Sequence, residues 1–211
     1  MIQQSWNASI FEKIYQTNAD PWRFKTSAYE KEKLARLLTW LPTHRQLHSI
    51  IELGCSIGID TRALSEKCDH ILAIDAAANA LLRARHHCAE RHNVTFLQAF
   101  LPEKCPTQPQ NHYDFAVISE LLYFLNQNDI KLLAIKLLPL LTRSASILLV
   151  NWTGRTDTPC TGDQAVEIFI QTCQQAGWEV ERQERHPQYR IDLLSPTPDS
   201  AVPTPPAAPA A

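Results

Sequence analysis

Paired cysteines are absent from this sequence of 211 residues. The six cysteines are Cys55, Cys68, Cys88, Cys105, Cys160 and Cys173. No two of them are spaced as a C-x-x-C pair. A structural zinc site or a disulfide framework usually shows such regular spacing, so both are unfavoured. His86, His87 and His92 lie near one of these cysteines, but adjacent residues on a helix point in different directions. We therefore predict no metal site and reduced thiols, as in a cytoplasmic protein.

An excess of charge of one sign is also missing, and so are long apolar runs. The 20 Lys and Arg oppose 22 Asp and Glu, for a net charge of −2. No global field attracts a polyanion, so nucleic acid and acidic membranes are unfavoured partners. The segment MIQQSWNASIFEKIYQ has neither the positive nor the apolar region of a signal peptide, and no later apolar run approaches the length that spans a bilayer. We expect a soluble chain that stays where it is made.

The rest of the chain alternates short apolar runs with helical patterns, as in an α/β protein. The short runs are rich in β-branched residues and predict strands over 49–53, 70–74, 94–98, 114–119 and 146–150. Apolar positions at helical spacing predict helices over 60–67, 77–91 and 128–141. This rhythm indicates one doubly wound, Rossmann-like domain with helices on both faces of a parallel sheet. Its ligand should lie beyond the carboxyl ends of the strands.

Both ends of the chain depart from this rhythm. Residues 1–47 look largely helical and are predicted to form an extension, or lid, ahead of a domain over 48–195. Residues 162–176 predict a helix that Gly177 ends in a left-handed conformation, followed by two antiparallel strands over 178–186 and 189–194. Residues 196–211 contain six prolines and no large apolar side chain to bury, so we predict a disordered tail there.

Glycine is scarce, yet two of the five glycines follow the first predicted strand. The segment Glu52-Leu53-Gly54-Cys55-Ser56-Ile57-Gly58 leads from that strand into a helix. Glycine lets the backbone turn sharply and approach a ligand, and the following helix points free amide groups toward it. An ordinary strand-to-helix turn is the alternative interpretation.

An acidic residue at the end of the second strand narrows the choice of ligand. Asp75 can accept hydrogen bonds from both hydroxyls of a ribose, although it could instead cap the helix that begins near Ala77. A dinucleotide fingerprint is incomplete, because Ser56 replaces its middle glycine and no third glycine follows. Glu52 suits an ammonium group better than a pyrophosphate. These features favour S-adenosylmethionine as the cofactor.

Three further segments are distinctive: Asp20-Pro21-Trp22-Arg23-Phe24, Ser27-Ala28-Tyr29-Glu30-Lys31, and Ser119-Glu120-Leu121-Leu122-Tyr123-Phe124. Together with the glycine loop they resemble the NodS family of class I methyltransferases, in motif order over roughly residues 8 to 195. The resemblance implies a seven-stranded sheet with the last strand antiparallel and the use of S-adenosylmethionine. It also implies methylation of an amino group on a deacetylated chitooligosaccharide.

The predicted cofactor contacts come from the glycine loop, the ends of the second, third and fourth strands, and one arginine: Glu52, Gly54, Cys55, Ser56, Gly58, Asp75, Ala76, Ala99, Phe100, Ser119 and Arg23. Arg23 is expected to pair with the cofactor's carboxylate, a surface role being the alternative. Similar proteins commonly carry an acidic residue after the third strand that binds the adenine amino group. Phe100 cannot accept that bond, so adenine is expected to be held by stacking or by backbone groups.

Methyl transfer requires mainly that the partners are positioned and water is excluded. An amine acceptor must be neutral when it reacts, and we predict that Glu120 and Tyr123 take or relay its proton. A carboxylate at a helix start and a half-buried ring are the alternative roles. Trp22 and Tyr29 are predicted to close over the ligands, where aromatic faces suit a sugar; packing onto the sheet is the alternative for Trp22. The expected partner is a small molecule, an amino sugar or an oligosaccharide.

Other functions stay open at this point. A nucleotide-dependent oxidoreductase would need a third loop glycine and a catalytic Tyr and Lys after the fourth strand. The pair Tyr29-x-x-x-Lys33 precedes the loop instead, and we interpret it as a coincidence on a helix face. A binding module without turnover is compatible with Ser56 and Phe100, and a different amine, an oxygen or a carboxylate could be the acceptor. The sequence predicts no oligomeric state.

Overall fold

A computed structural model describes residues 4–198 as a seven-stranded sheet with helices on both faces. In chain order the elements are α1 (Ala8–Thr17), α2 (Ala28–Leu38), β1 (Leu47–Leu53), α3 (Ile59–Leu64), β2 (Cys68–Asp75), α4 (Ala78–His87), β3 (Val94–Gln98), β4 (Tyr113–Ser119), α5 (Gln127–Leu137), β5 (Leu141–Trp152), α6 (Gly162–Gln175), β6 (Trp178–Arg185) and β7 (Tyr189–Pro196). Short 3₁₀ turns lie at Ser65–Lys67, Leu122–Phe124 and Leu138–Leu140.

The strand order is β3-β2-β1-β4-β5-β7-β6. Strands β1 to β5 all run parallel to one another, and β7 runs antiparallel to its two neighbours, β5 and β6. The predicted α/β fold, with its antiparallel last strand, is confirmed. The direction in which successive strands are added to the sheet reverses at β1, which lies between β2 and β4. Ligands of doubly wound sheets bind beside such a point, at the carboxyl ends of the strands.

Burial of side chains on both faces explains why the strands form a central sheet. Ile50 and Ile51 are adjacent in β1 and both fully buried, yet they belong to different hydrophobic clusters. Ile51 faces the cluster that contains Leu133 of α5 and Phe169 of α6, whereas Ile50 faces the cluster that contains Leu37 of α2. A strand with apolar side chains on both sides is stable only between two layers of helices.

The amino-terminal extension contains two helices joined by a loop over 18–27. Asn7 and Ser27 begin these helices, and each side chain accepts a hydrogen bond from a backbone amide of the first turn. Helix α1 contacts α4, since Asn79 N donates to Glu12 Oε2 at 3.4 Å. Residues 1–47 are thus helical in part, and β1 already begins at Leu47.

The carboxyl-terminal strands follow the predicted pattern. Gly177 has a φ angle of 81°, which confirms the left-handed end of α6. Strand β7 ends at Pro196, the first residue of the predicted tail, and Thr197 N donates to Gly177 O at 2.8 Å. From residue 199 onward the tail lies outside the described residues. No helix within residues 4–198 is both long and apolar enough to cross a membrane.

Candidate functional site

The loop after β1 lies where ligands of this fold bind. Gly54 N and Cys55 N both donate to Ile74 O, at 2.8 and 2.9 Å, which ties the loop to the end of β2. Gly54 and Gly58 have φ angles of 83° and 79°, in the left-handed region that favours glycine. A Cβ at Gly58 would lie 2.9 Å from Ala84 Cα, so this glycine also lets α3 pack closely on α4.

Asp75, at the end of β2, holds the loop from the other side. Its carboxylate accepts hydrogen bonds from Ser56 N at 2.8 Å and from Ala77 N at 2.9 Å. Burial raises the pKa of Asp75 to about 6, and these bonds oppose the shift. An ionised carboxylate offers about four acceptor sites, so both oxygens can still accept a hydrogen bond from a ligand.

A cavity of about 670 Å³ opens beside Asp75. Small-molecule sites typically measure roughly 300–1,000 Å³. Its floor is formed by the carboxyl ends of the central strands, and its walls come from the amino-terminal extension and the loop after β5. Most side chains around it are aromatic or acidic: Trp6, Phe11, Tyr15, Trp22, Phe24, Tyr29, Glu30, Asp75, Glu120, Tyr123, Phe124, Trp152 and Asp157. Two smaller recesses share Gly54 with this cavity.

The apolar recess lies beside the ends of β2 and β3. Ala76, Ala99 and Phe100 line it, and Trp6 and Phe124 form part of its wall with ring centroids 4.8 Å apart. Aromatic rings prefer such offset or tilted packing, and a flat heteroaromatic ligand makes the same contacts. The recess is therefore suited to a planar base.

The acidic recess lies between β1 and α3. Glu52 is 2% exposed and accepts a hydrogen bond from Thr61 Oγ1 at 2.6 Å. Burial raises the pKa of Glu52 to about 8, and the nearby Asp60 raises it further; burial also raises the pKa of Asp60 to about 6. Both carboxyls line the recess with Cys55 and Ser119. A bound cation would favour their ionised forms.

Glu120 is the centre of a polar network at the end of β4. Its φ angle is 55°, a conformation that costs a non-glycine residue about 1–3 kcal/mol. Glu120 Oε1 accepts from Lys33 Nζ at 2.6 Å, and Oε2 accepts from Tyr123 OH and Trp152 N, both at 2.9 Å. Lys33 Nζ also lies 2.9 Å from Glu30 Oε2. Two carboxylates thus share one buried ammonium, which leaves a net negative charge beside the cavity.

The extension closes one side of the cavity with aromatic side chains. Tyr15 is 2% exposed, and its hydroxyl lies 2.5 Å from Ser56 Oγ. Trp22 packs edge-on against Tyr15 at 5.5 Å between ring centroids, and Tyr29 packs edge-on against Trp152 at 5.8 Å. The extension is therefore in direct contact with the glycine loop.

The loop between β5 and α6 forms the opposite wall. Arg155 and Asp157 are exposed on it and line the cavity. Its two ends are fixed: Cys160 N donates to Tyr123 O at 3.3 Å, and a Cβ at Gly162 would lie 1.7 Å from Trp152 O. The backbone of α6 therefore starts in contact with the backbone that ends β5.

The sequence profile of nodulation protein S (NodS) matches residues 4–160, about three quarters of the chain. The chain belongs to the NodS family. Nodulation protein S of Bradyrhizobium diazoefficiens is 27% identical over 124 residues, which cover 59% of this chain and 57% of that protein. Nodulation protein S of Rhizobium tropici is 24% identical over 106 residues, covering 50% and 43%. The matched segments thus span about half the length of these relatives.

The fold of this NodS-family chain also matches a solved NodS structure. The crystal structure of the N-methyltransferase NodS from Bradyrhizobium japonicum WM9, in complex with S-adenosyl-L-homocysteine, superimposes with a TM-score of 0.75. The similarity covers 92% of this chain and 100% of that one, at 16% sequence identity. At this level of identity the match establishes a shared fold.

The NodS-family site brings together most of the residues predicted from the sequence. They line the cavity or one of its recesses: Trp22, Tyr29, Glu52, Gly54, Cys55, Ser56, Asp75, Ala76, Ala99, Phe100, Ser119, Glu120 and Tyr123. Gly58 shapes the loop and packs on α4 instead of lining the cavity. Arg23 has a φ angle of 62°, and its exposed side chain lies outside the residues that line these spaces. Among residues 4–198 no group of His, Cys, Asp and Glu side chains could hold a metal ion.

Several residues of the NodS-family site were not predicted. Lys33 looked like part of a helix face, yet it is buried and binds Glu120, which is 87 residues away in the chain. The i,i+3 spacing of Glu30 and Lys33 was the available signal. Asp60 looks from sequence like a first-turn carboxylate of α3, and Tyr15 like an ordinary apolar position of α1.

Proposed function

We propose that the protein is an S-adenosylmethionine-dependent N-methyltransferase that acts on an amino sugar, with a deacetylated chitooligosaccharide as the best candidate acceptor. The observation that carries this proposal is the composition of one cavity, which combines Asp75, an apolar recess and an excess of carboxylates over cations. The NodS protein with the same fold is described as an N-methyltransferase, which supports extending that reaction to this member of the family.

The residues present fit the proposed cofactor at three points. Asp75 offers free acceptor sites for ribose hydroxyls, and the apolar recess of Ala76, Ala99 and Phe100 fits an adenine that is held by stacking. The acidic recess with Glu52 and Asp60 fits the ammonium of the methionine part. When bound, S-adenosylmethionine supplies an electrophilic methyl group on a positively charged sulfur.

The acceptor side of the cavity fits a sugar that carries an amine. Trp22, Tyr29 and Trp152 present aromatic surfaces, which pack well on the apolar faces of sugar rings. Lys33 is neutralised by Glu120, so the remaining charge of Glu30 attracts an ammonium group. An acetylated amine has no such charge, so the site should prefer the deacetylated sugar.

The pair of Glu120 and Tyr123 is proposed to relay a proton away from the reacting amine. Tyr123 OH donates to Glu120 Oε2, and both side chains line the cavity. Closure by the aromatic extension would exclude water and keep the acceptor in line with the methyl group, which is most of what this reaction requires.

Dehydrogenase chemistry is less well supported. Lys33 Nζ lies 5.2 Å from the ring centroid of Tyr29, so the two residues of the apparent dehydrogenase motif do meet at the site. However, Lys33 is paired with Glu30 and Glu120 and is not available to assist Tyr29. The negative pyrophosphate of a dinucleotide would also meet the acidic Glu52 beside the glycine loop, where a favourable site offers positive charge.

Binding and transfer can be measured separately. The purified protein is titrated calorimetrically with S-adenosylhomocysteine and with NAD. It is then assayed for labelled-methyl transfer to chitooligosaccharides of one length, fully deacetylated or fully acetylated. We expect binding of S-adenosylhomocysteine alone and methyl incorporation only into the deacetylated acceptor. Binding without incorporation into either acceptor would reject the proposed substrate, and absence of S-adenosylhomocysteine binding would reject the cofactor.

A further inference from the structure

The polar network at the end of β4 raises the question of which carboxylate meets the acceptor's amine. Glu120 already accepts three hydrogen bonds, from Lys33 Nζ, Tyr123 OH and Trp152 N. One of its partners is the buried ammonium of Lys33, and both of its carboxylate oxygens are thus already bonded within the protein. Glu120 is therefore well placed to hold the network and to act in the relay proposed above, after another group has taken the proton directly from the amine.

Glu30 is less completely paired. Its side chain is 13% exposed and lines the cavity, and its Oε2 lies 2.9 Å from Lys33 Nζ. The other oxygen, Oε1, accepts no hydrogen bond from any residue between 4 and 198. The neighbouring Tyr29 also lines the cavity, and its hydroxyl is buried without a hydrogen-bond partner in the same described range. The Tyr29 hydroxyl is closed off from the cavity, so the unbonded oxygen of Glu30, whose side chain lines the cavity, is the atom that a ligand can reach.

We propose that Glu30 binds the acceptor's ammonium group and removes its proton before methyl transfer, with Lys33 as the positioning residue that connects it to Glu120. This rests on the proposed function and assigns the step that makes the amine nucleophilic.

The proposed step balances in atoms and charge. The acceptor's R–NH₃⁺ transfers a proton to the Glu30 carboxylate, which yields the neutral amine R–NH₂ and a carboxylic acid. The nitrogen lone pair forms the new N–CH₃ bond while the electron pair of the methyl–sulfur bond stays on sulfur. The product is a secondary ammonium, and Glu30 returns its proton to water after the product leaves.

The surroundings of Glu30 support this role. Burial raises the pKa of Glu30, while the ammonium of Lys33 opposes the increase. Glu120 and Asp20 also face Glu30 and raise its pKa. A carboxylate with a raised pKa is a stronger base than an exposed one, which is the adjustment that general bases require.

Glu30→Gln tests the proposal, with Glu32→Gln as the matched control. Glu32 belongs to the same helix and is exposed, away from the residues that line the cavity. At about pH 7 we expect Glu30→Gln to lower kcat/KM for the deacetylated acceptor by about 10²-fold or more. The defect should shrink at higher pH, where the acceptor arrives already neutral. Glucosamine binding to the protein loaded with S-adenosylhomocysteine should weaken at least about tenfold below the amine's pKa.

Structural readouts separate a catalytic role from a folding defect. Affinity for S-adenosylhomocysteine should stay at the wild-type value in Glu30→Gln. Its melting temperature should fall by no more than that of Glu120→Gln, because Lys33 keeps one ionised partner in each variant. Glu30→Asp should recover part of the lost turnover. The inference is overturned if Glu30→Gln keeps its turnover, if the defect is equal at all pH values, or if S-adenosylhomocysteine binding is lost as well.

Failure of the proposed function gives a different result. In that case wild-type protein binds S-adenosylhomocysteine but methylates no deacetylated sugar. The glucosamine titration then decides the role of Glu30: weaker binding to Glu30→Gln than to wild type supports ammonium binding by Glu30. Equal binding, or none to either protein, overturns it.

Discussion

The hydroxyls of Tyr15 and Ser56 lie 2.5 Å apart and join α1 directly to the loop after β1. Ser56 has a φ angle of 51°, and its amide is bound by Asp75. The same loop residue is thus held by the extension through its side chain and by the sheet through its backbone. Closure of the extension and the shape of the loop are coupled through this one serine.

Tyr15→Phe should loosen this coupling without changing the core. A typical buried hydrogen bond contributes about 1 kcal/mol, so S-adenosylhomocysteine affinity should fall about fivefold. Limited trypsin digestion should cut faster at Lys13, Arg23 or Lys25, because α1 is held less firmly. Tyr113→Phe is the control: Tyr113 is also buried but lies at the opposite end of β4. Equal behaviour of the two variants would show that the Tyr15 contact does not couple the extension to the loop.

Asp75→Ala should weaken cofactor binding strongly. The substitution removes the proposed ribose acceptor and frees the amides of Ser56 and Ala77, so we expect a loss of about 10²-fold in S-adenosylhomocysteine affinity. Calorimetric titration measures it. Asp69→Ala, on the same strand but exposed at its other end, should bind as wild type. Unchanged affinity in Asp75→Ala would remove Asp75 from the site.

Glu52 should make the stability of the cofactor-free protein depend on pH. Its folded pKa of about 8 lies above the ordinary value of 4.5, so the folded state binds more protons than the unfolded state between these values. The free energy of unfolding therefore contains a contribution that is fully present below about pH 4.5 and is lost as the pH rises through about 8. Asp60 and Asp75, with pKa values of about 6, act in the same direction.

Thermal denaturation across this pH range provides the measurement. Glu52→Gln should show a smaller fall in melting temperature with rising pH than the wild type, because glutamine has no proton to lose. Glu66→Gln, an exposed glutamate after α3, should retain the wild-type slope. Identical slopes for wild type and Glu52→Gln would contradict the raised pKa.

Glu120→Gln should lower turnover more than cofactor affinity. We expect turnover to fall by about 10²-fold while S-adenosylhomocysteine binding changes by less than about threefold. The melting temperature should also fall, because Lys33 keeps only Glu30 as an ionised partner. Radiolabel transfer and calorimetry give the two numbers on one preparation. Wild-type turnover in this variant would reject the proton relay through Glu120 and Tyr123.

The parts of the fold that the sequence could predict depend on local patterns. The apolar β-branched runs located β1 to β5, and Gly54 and Asp75 marked the ligand edge because they stand at strand ends. Helix boundaries were less accurate, since α4 ends at His87 and not near residue 91. The apolar residues Cys88 and Ala89 continue the helical pattern in the sequence, although the backbone leaves the helix after His87.

The parts of the site that the sequence could not predict depend on contacts between distant segments. Lys33 is a charged residue that becomes buried only because Glu120 lies opposite it in the fold. Arg23 carries the charge expected for a carboxylate ligand, and its exposed side chain lies outside the residues that line the cavity. Neither outcome follows from spacing along the chain.

The close contact between Gly162 and Trp152 has a consequence for how this family can diverge. Any side chain at position 162 would collide with the carbonyl that ends β5, so the two ends of the intervening loop must stay where they are. Between these ends, Arg155 and Asp157 are exposed and line the cavity. Under the proposed function, substitutions at these two positions can therefore alter acceptor choice over evolutionary time, while the scaffold beneath them stays constant.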